Sequence, residues 1–89
     1  MSVTTRTKNG IMAALVKMKE SGGEYEVEPN SVLVNTNIII DGIKGLAEFL
    51  RENGVKVTGS DGEYELGAPN DTVTLTPSSI GWARIDFGT

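Results

Sequence analysis

Apolar residues recur at a helical spacing through residues 38–52. At about 100° per residue, Ile39, Ile40, Ile43, Leu46, Ala47 and Leu50 fall in one arc of roughly 120°. Asp41, Lys44, Glu48, Arg51 and Glu52 fall opposite, and Ile38 and Phe49 widen the apolar flank. The split predicts an amphipathic helix lying on an apolar platform. Two starts fit. Thr36 or Asn37 offers a short side-chain oxygen as N-cap. Alternatively residues 38–40 continue a preceding strand, and Asp41 caps the helix with a charge that suits its dipole. The end is sharper: Asn53-Gly54 predicts a left-handed C-cap that brings Leu50 against Val55. Gly42 and Gly45 each cost about 1 kcal/mol against Ala inside a helix. Their presence suggests close backbone approach to a strand.

A second helical period runs over residues 8–21. Ile11, Met12, Leu15, Val16 and Met18 form its apolar side, with Thr7 or Asn9 as cap and Ala13 and Ala14 as a small-residue surface. Gly22-Gly23 ends it. Residues 1–6 read as a loose basic tail.

Elsewhere the period is two, the signature of half-buried strands. In residues 24–28 (EYEVE), Tyr25 and Val27 face in while Glu24, Glu26 and Glu28 face out. Pro29-Asn30 turns the chain. Val32 and Val34 share a face in residues 31–36. A short strand over residues 55–58 leads to a turn at 59–62, with Asp61-Gly62 at the favoured hairpin positions. Residues 63–66 place Tyr64 and Leu66 inward. After a loop at 67–71, residues 72–76 (TVTLT) point Val73 and Leu75 one way and the threonines the other. The last strand, 82–87, sets Ala83, Ile85 and Phe87 on one face and Trp82, Arg84 and Asp86 on the other.

These elements predict a single α+β domain over residues 1–89: two helices packed on one face of a mainly antiparallel sheet of five or six strands. An echo runs through it. Residues 23–33 read GEYEVEPNSVL, and residues 62–75 read GEYELGAPNDTVTL. Two pseudo-repeated α-β-β units would produce this, and so would convergent hairpin chemistry. The second unit, a helix followed by Gly54-Val55-Lys56-Val57 and a hairpin, resembles the helix–strand–strand pieces of the enolpyruvyl transferase repeats. The resemblance covers only that part of the chain. It implies a local arrangement and no activity, because those enzymes' catalytic residues have no counterpart here.

Charge changes the picture more than composition does. The net charge is −4, yet residues 1–19 hold Arg6, Lys8, Lys17 and Lys19 and no acid, while all twelve acids lie in residues 20–89. A basic leading segment and an acidic body favour head-to-tail self-association or a charged partner. The chain has no Cys and no His. It therefore lacks thiol nucleophiles, imidazole bases and thiolate or imidazole metal ligands. Ser78-Ser79 has no base to activate it, and no phosphate-binding glycine motif is present. No catalytic, cofactor-binding or metal-binding residue is expected, and the protein reads as a non-enzyme. A sequence pI of about 4.6 argues against direct nucleic-acid binding. No apolar run approaches the ~18 residues of a membrane span. Absent cysteine fits a reducing compartment, so a soluble cytoplasmic protein is expected.

Two surfaces remain. Trp82 beside Arg84 and Asp86 is a residue set enriched at interface hot spots. It predicts a protein-interaction or assembly module, with a second copy as partner in a dimer or larger oligomer. Lys17 and Lys19 would supply the complementary charge. The ladders Glu24/Glu26 and Glu63/Glu65 predict, alternatively, an inhibitor of the kind phages encode against host defences, presenting carboxylates to a basic nucleic-acid-handling protein.

Overall fold

A computed structural model of the chain describes residues 2–60 and 62–88. Two helices, α1 (Ser2–Glu20) and α2 (Gly42–Glu52), lie with six strands: β1 (Tyr25–Val27), β2 (Ser31–Asn35), β3 (Val57–Ser60), β4 (Glu63–Leu66), β5 (Val73–Pro77) and β6 (Trp82–Asp86). A short 3-10 turn, Pro69–Asp71, joins β4 to β5. The strands form one sheet in the order β1-β2-β6-β5-β4-β3, and every neighbouring pair is antiparallel. This is the expected α+β architecture, with both helices packed on one face of the sheet.

Period-two patterning sets that face. Val32, Ile85, Leu75 and Tyr64 stand side by side across four strands. Val34, Ala83, Val73, Leu66, Val57 and Phe87 complete the buried surface. Ile11, Ala14, Leu15 and Met18 of α1 and Leu46, Ala47 and Leu50 of α2 close over it. Each large apolar side chain so covered contributes about 1.5–3 kcal/mol relative to exposure.

The C-terminus of α2 forms as its residues dictate. Gly54 takes φ 90, a conformation that costs a Cβ-bearing residue. Val55 N–H then donates to Leu50 O at 3.0 Å and Gly54 N–H to Arg51 O at 3.2 Å. That double bond pattern is the Schellman motif, with Leu50 and Val55 both buried.

Several expectations fail for identifiable reasons. Residues 36–40 neither begin α2 nor continue β2, and Asp41 is the N-cap, as in the second of the two expected starts, though its side chain makes no capping bond. Thr36 N–H donates to Gly81 O at 2.7 Å, Asn37 N–H to Asn35 Oδ1 at 2.8 Å, and Gly42 N–H to Thr36 O at 2.9 Å. These bonds reverse the chain at the sheet's end, so α2 starts only at Gly42. Ile39 is left in the left-handed region at φ 75 and 53% exposed, and Ile38 is 39% exposed. Ile39 of the proposed apolar arc and Ile38 of its flank therefore face solvent, while Ile40 and Ile43 pack partly against the core. Gly42 is required by its φ of 77, not by a neighbouring strand: a Cβ there would meet nothing within 4 Å.

At the other end, α1 begins at Ser2, so residues 2–6 are helical where a loose tail was expected. Their β-branched members cost only tenths of a kcal/mol each in a helix. Thr7, one turn in, is tied down by Asp71: its hydroxyl donates to Asp71 Oδ2 at 2.6 Å. Val16 is 45% exposed and Ala14 is buried in its place. Val27 faces the helix side at the sheet's outer edge and stays 65% exposed. β3 runs through Gly59 and Ser60, which were expected to turn; Asp61 of that turn lies outside the described residues. The echo between the two Pro-Asn segments does not extend to local structure. Pro29-Asn30 lies in a tight hairpin bend, whereas Pro69-Asn70 opens the 3-10 turn.

Candidate interaction surface

The second face of the sheet carries no helix. Its residues are those that alternate with the core: Glu26 on β1; Ser31, Leu33 and Asn35 on β2; Trp82, Arg84 and Asp86 on β6; Thr74 and Thr76 on β5; Glu63 and Glu65 on β4; Thr58 and Ser60 on β3. Register fixes their neighbours. Glu26, Leu33, Arg84 and Thr76 form one row, and Ser31, Asp86, Thr74, Glu65 and Thr58 form another. Trp82 stands opposite Asn35 on β2.

Seven residues expected at an interface thus share one surface: Glu24, Glu26, Glu63, Glu65, Trp82, Arg84 and Asp86. The sequence offered Trp82/Arg84 and the glutamate ladders as rival surfaces; the sheet order makes them one. Strands β1 and β4 are separated by β2, β6 and β5, so the two ladders stand about 19 Å apart. Between them lie the half-buried Leu33 and Trp82. No family model, curated protein or solved structure matches this chain. Its surface must be read from its own residues.

Most of the border charge is unneutralised. Among the described residues the one ion pair is Arg84 Nη1 to Glu28 Oε1, at 3.5 Å with both side chains 41% exposed. Ser31 Oγ donates to the same glutamate oxygen at 2.9 Å, and Arg84 also reaches Ser31 Oγ at 3.3 Å. This small network holds the guanidinium over the middle of the face. Glu24 accepts from Asn35 Nδ2 at 3.1 Å, and Asp86 accepts from Gly88 N–H at 2.8 Å. Glu26, Glu63 and Glu65 are exposed and make no side-chain bond within the described chain. Counting the strands and their flanks, six carboxylates (Glu24, Glu26, Glu28, Glu63, Glu65, Asp86) meet two cations, Arg84 and Lys56, a balance of 2 − 6 = −4.

An open depression of about 550 Å³ over β3–β5 is lined by Thr58, Glu63, Glu65, Thr74 and Thr76, with Gly59 and Tyr64 at its margin. It brings threonine hydroxyls and exposed carboxylates together. Among the described residues, no group of three acidic side chains is placed to hold a metal ion. No described helix is long and apolar enough to cross a membrane.

The other two expected contact residues, Lys17 and Lys19, lie on α1, on the opposite side of the molecule. Lys19 Nζ sits 5.6 Å from the Tyr25 ring centroid, and Lys8 Nζ sits 5.2 Å from that of Phe87. Both are close enough for cation–π attraction. Lys17 is exposed, and its side chain makes no ion pair or hydrogen bond among the described residues. Leu33 and Glu28 join the surface without having been singled out for it. Alternation alone places Leu33 outward, since Val32 and Val34 on either side face the core.

Proposed function

We propose that this protein is a non-enzymatic interaction and assembly module that works by burying its open sheet face against protein, including further copies of itself. One observation carries the reading: Leu33 and Arg84 share a central row of the broad face that no helix covers, with Trp82 at the end of the same strands, between two carboxylate ladders. Burial of Trp82 supplies affinity, and the surrounding carboxylates select a basic partner and speed encounter. Light scattering across protein and salt concentration tests this. Wild type is expected to exceed its 9.5 kDa monomer mass at low salt, and Trp82→Ala to lose that association. A strict monomer under all conditions, with Trp82→Ala indistinguishable from wild type in every pull-down, contradicts it.

A second reading rests on the two ladders sharing one face. Carboxylates on both sides of a flat surface also suit an inhibitor docking on a basic, nucleic-acid-handling protein, as phage-encoded anti-defence proteins do. Under that reading, changing Glu24, Glu26, Glu63 and Glu65 together to Gln abolishes capture by such a partner. Under the first, Trp82→Ala does the greater damage.

A further inference from the structure

The charge imbalance along the chain becomes a separation in space. On the helix layer, α1 and α2 with their flanks carry Arg6, Lys8, Lys17, Lys19, Lys44 and Arg51 against Glu20, Asp41, Glu48 and Glu52, or 6 − 4 = +2. The open face stands at −4. The two layers are opposite faces of a molecule only 25–32 Å across.

The outward side of α1 is unusual for a solvated helix. Opposite the buried Ile11, Ala14, Leu15 and Met18 run Arg6, Asn9, Ala13, Val16, Lys17 and Glu20. Its middle is small and apolar, with Val16 45% exposed beside Ala13 and a cation towards each end. Neither Arg6 nor Lys17 has an ion pair or side-chain hydrogen bond among the described residues. The helix of 19 residues is about 28 Å long. The six-stranded face is about 24 Å wide. A stable interface needs about 800 Å² from each partner, about a seventh of the chain's 5258 Å², and one broad face is enough to provide it.

We infer that the occupant of the open face is the outward side of α1 from a second copy of this chain. The inference rests on the open face being the binding surface, and adds what sits there. Ala13 and Val16 pack over Trp82 and Leu33, while Arg6 and Lys17 reach the carboxylate ladders. The contact joins two different surfaces, so it leaves one of each free and propagates head to tail into a ring or open filament. Face-to-face pairing, by contrast, would bring two like-charged surfaces together and leave α1 unused.

The test is complementation between two disabled variants. A face variant carries Trp82→Ala with Glu65→Lys. A helix variant carries Ala13→Glu with Lys17→Glu, both at exposed positions, so the fold is retained and checked by circular dichroism. Each alone retains one working surface and is expected to be monomeric, its self-association weakened about tenfold or more. Mixed in equal amounts, they are expected to form a heterodimer of twice 9.5 kDa and nothing larger, since only one working pair remains. Wild type goes further, and salt dissolves both. If the helix variant associates as wild type does, or the mixture stays monomeric while wild type assembles, the inference is overturned. An assembly that still needs Trp82 would then leave the open-face reading standing. A wild type that never self-associates also overturns the inference, and the open face is judged by its binding to other proteins.

Discussion

Asp71 is 1% exposed, yet it sits in a connecting segment. One of its oxygens is well used: Oδ2 accepts from Thr7 Oγ1 at 2.6 Å and from Ala68 N–H at 2.8 Å. Oδ1 is buried with no partner among the described residues. The carboxylate couples the first turns of α1 to the β4–β5 connection, 64 residues away. Thr7→Val takes away one donor and leaves that oxygen buried. A loss of about 1–3 kcal/mol is expected, seen as a lower urea midpoint. Ile39 presents the opposite case. A β-branched residue at φ 75 stores local strain of about 1–3 kcal/mol, and its exposed side chain returns little burial. Asn tolerates that conformation, so Ile39→Asn is expected to raise stability by about 1 kcal/mol in the same titration. An unchanged or lower midpoint would show that the apolar contacts of Ile39 outweigh its backbone.

At the scale of elements, α2 depends on its last turn and its buried edge. Gly54→Ala forces a Cβ onto a φ of 90 and is expected to cost about 1 kcal/mol. Leu50→Ala, at a fully buried position, is expected to cost about 2–5 kcal/mol. Equal losses for the two would mean that packing under α2 is looser than its burial indicates. The same elements show what can be read from a sequence. Strand faces were legible because a side chain on a strand has only two directions, and Val73/Leu75 or Ile85/Phe87 declare theirs. The end of α2 was legible because Asn53-Gly54 carries its own stop. Residues 38–40 were not: three isoleucines suit a helical arc and a strand equally, and the bond from Thr36 N–H to Gly81 O, across the fold, decides the path. The start of α1 was hidden for the same reason, since its anchor is Asp71. Membership of the candidate surface was legible strand by strand. That β1 and β4 frame one face with β6 between them was not, because strand order is a property of the assembled sheet.

For the whole molecule, the sheet is a two-sided object with one side finished. The helices complete its apolar face, and the other is left with a tryptophan, a leucine and an excess of negative charge. Contacts between opposite charges at this exposure are screened within about 8 Å at physiological salt, so assembly is expected to weaken steadily as salt rises. Association that strengthens with salt would instead indicate an apolar contact elsewhere, such as the exposed Ile38, Ile39 and Ile80. Trp82 is the chain's sole tryptophan, which makes its emission a direct report on the open face. Its fluorescence should be followed as protein concentration rises at low salt, with mass recorded in parallel. The emission maximum is expected to move to shorter wavelength as mass increases, and to return when salt is raised to about 0.5 M. A rise in mass with no change in Trp82 emission would contradict the account, because the molecule would then be assembling through some other surface.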